Sequence, residues 1–142
     1  MGYTHYWEQK SEFDPYTWAG IRSDFSKAVK STGVKIADWT GTKGSFALVS
    51  DNEITFNGVE PDDHETFRLQ RAPESNTGFC KTARKPYDLL VCLTLLIAYD
   101  RAPDCIEITS DGGYDDWEKA VVMFLRLYGK LPKLPHLLRP KV

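Results

Sequence analysis

Three cations crowd one short stretch of this chain. Lys81, Arg84 and Lys85 lie within Phe79-Cys80-Lys81-Thr82-Ala83-Arg84-Lys85-Pro86-Tyr87-Asp88, directly before an apolar run at residues 89–98. Pro86 suits the first position of a helix, where its missing N–H costs nothing. The cations therefore precede a helix N-terminus, which carries partial positive charge and disfavours them. The conflict calls for an anion: Asp88, the acidic residues within 111–118, or a bound ligand. Lys81, Arg84 and Lys85 are thus candidate ligands for a phosphate-like group. The hydroxyls of Thr82 and Tyr87 are further candidate donors. The bland alternative is a solvated basic turn.

The histidines offer a different chemistry. His5 stands in Tyr3-Thr4-His5-Tyr6-Trp7, where His5, Tyr6 or Trp7 could stack on a base. The same pattern suits a sheet histidine satisfied among core aromatics. Arg68 could add charge to such a site. His64 opens His64-Glu65-Thr66, a His-x-Thr triplet. Two such triplets make the paired-histidine site of the 2H phosphoesterases. Here His5 is followed by Tyr6-Trp7 and His136 by Leu137-Leu138, so the second half is missing. Acid–base work by His64 or His5 with an acidic partner such as Asp111 remains the enzymatic alternative.

Asp62, Asp63, His64, Glu65 and Asp111 show no zinc or EF-hand spacing. No phosphate-binding loop, dinucleotide fingerprint or local nucleophile signature occurs. The sequence therefore assigns no catalytic residue, no metal and no cofactor.

The elements that must position these residues follow from periodicity. Residues 2–8 read as a strand with Tyr3, His5 and Trp7 on one face. Asp14-Pro15 starts a helix that carries Trp18, Ile21, Phe25, Ala28 and Val29 on one stripe and stops at Gly33. Short strands follow at 34–39, 45–50, 53–57 and 64–70. Turns are expected at Asp51-Asn52 and Asn57-Gly58, and 72–78 reads as a polar loop. The helix over 86–100 is apolar nearly all round and should be buried centrally. A strand at 105–109 and a third helix over 114–128 complete the domain. The expectation is an α+β fold, mainly antiparallel sheet with about three helices. Residues 1–129 form one domain, and 130–142 form a proline- and leucine-rich tail that docks on its own domain or on a second subunit.

Composition bounds the partners. The chain has 142 residues and a formal net charge of -2, which gives no general footprint for duplex nucleic acid. Cys80, Cys92 and Cys105 are an odd number without CxxC spacing, which suggests a reducing cytoplasm and no disulfide framework. No apolar run approaches the ~20 residues of a membrane span.

The opening Gly2-Tyr3-Thr4-His5-Tyr6-Trp7, with His64-Glu65-Thr66-Phe67, the 79–88 segment and Ser110-Asp111-Gly112, resembles a set of small uncharacterised phage and bacterial proteins. The resemblance spans most of the chain. It implies a phage or mobile-element setting and carries over no catalytic residue. The expected function is binding of an anionic, nucleotide-like ligand, for instance to sequester a host nucleotide signal in the host cytoplasm. A phosphoesterase or nuclease, and an interaction module using the tail, are the alternatives.

Overall fold

Strand β1 (Thr4–Gln9) is the middle of a three-stranded antiparallel sheet in the computed structural model, which describes residues 2–140. Its neighbours are β6 (Thr77–Lys81) and β7 (Ile106–Ser110). From His5 onward the side chains alternate: His5, Trp7 and Gln9 are buried, Tyr6 and Glu8 exposed. β6 departs from the sequence expectation, which put a loop across its first two residues. Gly78 lies opposite Trp7, and a Cβ there would run into the indole. Packing thus requires a residue of poor strand propensity in the strand.

The second sheet is built on β4 (Glu53–Gly58), paired antiparallel with β2 (Ile36–Ala37), β3 (Leu48–Val49) and β5 (Phe67–Gln70). The Asp51-Asn52 hairpin joins β3 to β4 as expected. The turn expected at Asn57-Gly58 is instead the end of β4. Asn57 is buried, and its amide brackets the His64 backbone, accepting from its N–H at 3.0 Å and donating to its carbonyl at 2.9 Å. That bracket holds residue 64 in a loop, so β5 begins only at Phe67.

Helix α1 (Pro15–Thr32) starts at Asp14, whose carboxylate accepts from the Thr17 N–H at 2.8 Å. It ends at Gly33, which adopts the left-handed φ of 69°. Trp18, Ile21, Phe25 and Ala28 are its buried stripe. Helix α2 (Asp88–Arg101) packs against α1 and against α3 (Tyr114–Tyr128). Every α2 residue from Leu90 to Asp100 is buried, the central helix its composition predicts. Among the described residues the fold is α+β, three α-helices with antiparallel sheets, and no helix is long and apolar enough to cross a membrane.

The tail folds back on the same chain. Leu138, in a single 3-10 turn, is buried, and Asp100 accepts from Lys130 Nζ and the Lys133 N–H, each at 2.8 Å. Residues 141–142 of the expected tail, and residue 1 of the domain, lie outside the described range.

Candidate functional site

β6 does not run straight into α2. After Lys81 the chain reverses through Ala83 and Arg84, both with positive φ, 51° and 59°. The Lys85 N–H closes the turn on the Thr82 carbonyl at 3.0 Å. Two successive non-glycine residues in left-handed backbone are strained, and such strain concentrates at functional sites. The residue before β1 holds the turn: the Tyr3 carbonyl accepts from the N–H groups of Thr82 and Ala83. Helix α2 starts at Asp88, two residues later than expected, because Pro86 and Tyr87 belong to a further turn.

The turn presents the Arg84 guanidinium 3.9 Å from the centre of the Tyr3 ring. The same guanidinium donates to Asp116 at 2.6 Å, at the start of α3. That bond, with a second from the Gly113 N–H, holds the Asp116 carboxyl below its ordinary value. Tyr3 is buried, and its hydroxyl has no hydrogen-bond partner among the described residues. Burial and then the Asp88 charge push that hydroxyl well above its ordinary range.

Beneath the turn runs a continuous polar chain. His5 is fully buried, edge-on to both Tyr3 and Trp117. Its Nδ1 lies 2.7 Å from Ser110 Oγ on β7, and its Nε2 lies 2.7 Å from Asp88 Oδ1. Ser110 Oγ accepts from the Gly112 N–H at 2.9 Å and from Trp117 Nε1 at 3.3 Å. Both of its lone pairs are then used, so its proton goes to His5 Nδ1. This accounting leaves the ring proton on Nε2, donated to Asp88. Asp88 also accepts from Thr82 Oγ1 at 2.5 Å and from the Cys92 thiol at 3.7 Å. Burial, then the Asp88 charge, push the Cys92 thiol well above its ordinary value. Ser110, His5 and Asp88 have the members of a nucleophilic triad, but a serine oxygen already saturated by two N–H donors is a poor nucleophile.

The chain surfaces in one cleft of about 180 Å³, between the starts of α2 and α3. Asp88 and Cys92 line its interior side, with Arg84, Lys85, Asp116 and Lys119 also lining it. Arg84 is paired with Asp116; among the described residues, Lys85 and Lys119 have no ion-pair partner. Larger clefts lie elsewhere, among them two of about 580 and 830 Å³. In the first, Arg101 is already paired with Asp24 and Lys130 with Asp100; the second is walled largely by apolar side chains such as Val34, Ile36 and Phe46.

The sequence-predicted residues divide accordingly. Arg84 and Lys85 meet in this cleft; the Lys81 side chain instead lies across Gly2. Several expected roles need correction. Trp7 is in the core against Phe67, so it is closed to a base. His5 is enclosed and likewise cannot stack. Tyr6 is exposed but alternates onto the opposite face of β1. Tyr87 is buried, and its hydroxyl donates to the Glu65 carbonyl at 2.6 Å. Thr82 is buried, and its hydroxyl serves Asp88 instead of a ligand. Arg68 is committed to Glu53 at 2.7 Å, across the second sheet. His64 is an exposed loop residue. His5 does meet a carboxylate, but that of Asp88; Asp111 instead accepts from the Thr4 N–H at 2.9 Å.

Sequence reading missed Ser110, Lys119 and the pairing of Asp88 with Cys92, and placed Asp116 only within the acidic stretch 111–118 expected to face the cations. The pairing of Asp88 with Cys92 left a signal, since residues four apart share a helix face. Comparison with known proteins adds no neighbour: no protein-family model, no curated protein and no solved structure matches the chain.

Proposed function

We propose that the protein binds a small anionic ligand whose phosphate group seats between the starts of α2 and α3. The observation that carries this reading is that Lys85 and Lys119 line the cleft without a carboxylate partner among the described residues. Arg84 joins them on a strained turn and can exchange Asp116 for a bidentate phosphate contact. A cleft of about 180 Å³ suits a phosphate group better than a whole nucleotide. On a nucleotide, the base and sugar would rest outside it. In the phage setting that the sequence resemblance implies, such a protein would sequester a host nucleotide signal in the host cytoplasm.

Phosphate or a nucleotide should raise the thermal midpoint, since it binds the native state alone. At a hundredfold excess over Kd the gain is about 2.7 kcal/mol. Lys85→Ala and Lys119→Ala should each reduce the shift and leave the far-UV spectrum unchanged. A wild-type midpoint no higher in phosphate than in chloride at equal ionic strength would refute the reading.

A second reading, phosphoesterase chemistry, is favoured by the 2.7 Å contact of His5 with Asp88 below the same cleft. Asp88 would be the acid–base group and His5 would position it. It requires turnover of a phosphate ester that Asp88→Asn abolishes.

A further inference from the structure

We infer that His5, Asp88 and Cys92 form a binding site for a divalent transition metal, with zinc the best fit. The three side chains come from two elements: β1 supplies His5, and the first two turns of α2 supply Asp88 and Cys92. Their donor atoms all lie within 4.8 Å of one another. His5 Nε2 is 3.5 Å from Cys92 Sγ, and Cys92 Sγ is 3.7 Å from Asp88 Oδ2. A tetrahedral zinc with bonds of about 2.0–2.3 Å sets its donors about 3.3–3.8 Å apart. Two of the three separations are therefore already those of a zinc site. The other carboxylate oxygen, Asp88 Oδ1, lies 2.7 Å from Nε2 in a hydrogen bond that the metal would replace.

The chemistry of the set agrees. Imidazole, thiolate and carboxylate together suit zinc or cobalt; calcium and magnesium take nearly all-oxygen shells. A dication with one thiolate, one carboxylate and a neutral imidazole is electrically neutral, which a buried site demands. Each outer position is also occupied. Ser110 Oγ stands 2.7 Å from His5 Nδ1 and can fix the ring, while Thr82 holds Asp88. Loading the metal displaces the thiol proton to solvent and moves the ring proton from Nε2 to Nδ1, which then donates to Ser110 Oγ as that hydroxyl turns its own proton away and gives up its 3.3 Å bond from Trp117 Nε1. His5 is fully enclosed, whereas Asp88 and Cys92 line the cleft. The metal would enter from there and keep its fourth position toward Lys85 and Lys119. An anion oxygen could complete the shell; that last step rests on the proposed anion cleft, and the metal site itself does not.

Cobalt titration of chelator-treated protein, without phosphate, tests the site alone. The expected result is one cobalt per chain, with a thiolate-to-cobalt charge-transfer band in the near ultraviolet. Cys92→Ala should lose the band and His5→Gln should weaken binding by at least about tenfold. Cys80→Ala and Cys105→Ala should keep it. Far-UV spectra establish that each variant is folded; if Cys92→Ala is not, Asp88→Asn replaces it, and weaker binding is then expected. No saturable band in the wild type, or a band that survives Cys92→Ala and disappears with Cys105→Ala, overturns the inference. The phosphate shift measured with chelator present reports on the anion cleft separately, so the two readings can fail independently.

Discussion

Asp88 is the residue on which the site turns. His5, Thr82 and Cys92 all direct donors at its carboxylate, from β1, from the loop after β6 and from the next turn of α2. An amide in its place sets one N–H₂ against these donors. Asp88→Asn should cost about 2–3 kcal/mol in denaturant titration, and a loss under ~0.5 kcal/mol would mean that the chain is not a connected network. Asp116 plays the opposite part, as the internal competitor for Arg84. Asp116→Asn should tighten phosphate binding, because it frees the guanidinium and removes a negative charge from the cleft; weaker binding in a titration would contradict this. Its folded carboxyl is held below the ordinary value, so its contribution to stability is present above the unfolded value and lost as pH falls through the lower folded one. The stability gap between wild type and Asp116→Asn should therefore be largest at neutral pH, begin to narrow below about pH 4 and close only as pH passes the lower folded value. Cations before a helix start were legible as a conflict from residues 81–88 alone. The acidic stretch 111–118 was an expected partner, but that Arg84 takes Asp116 out of it was not legible, because the pairing depends on how α3 is placed.

Strands and helices were legible in proportion to their periodicity. The stripe of α1 and the unbroken apolar surface of α2 are strong local signals, and both helices form where those signals lie. Leu93 is fully enclosed in α2, so Leu93→Ala should cost about 2–5 kcal/mol. β6 had no such signal. Thr77-Gly78-Phe79-Cys80-Lys81 is a strand because β1 templates it and because Trp7 needs the space over Gly78. Gly78→Ala should then destabilise by about 1–3 kcal/mol through overpacking. A neutral substitution would mean that the indole moves aside and that the pairing of β1 with β6 is looser than described. The consequence for function is direct. With Thr77 and Gly78 read as loop and 79–81 given no element, the strained turn at Ala83-Arg84 is invisible, and the cations enter α2 in one group. The turn instead separates Lys81 from Arg84 and Lys85 and carries only the latter two into the cleft.

At the scale of the molecule, two sheets and three helices meet around α2, and its N-terminal end carries the polar cluster. The far end of α2 is closed by the tail through Asp100. Leu138→Ala should cost about 2–3 kcal/mol if the tail is part of that closure, and chain unfolding monitored in denaturant would report it. The clustering of His5 with Asp88, Cys92 and Ser110 is a property of this whole arrangement. The four residues span more than a hundred positions, so no local motif could announce them. The claim that most needs testing is the anion cleft they underlie. Inorganic phosphate, added at constant ionic strength to isotope-labelled protein, should give saturable amide shifts concentrated at Arg84, Lys85, Leu89, Asp116 and Lys119. Shifts that are absent, or that spread over the surface and grow without saturating, would contradict it.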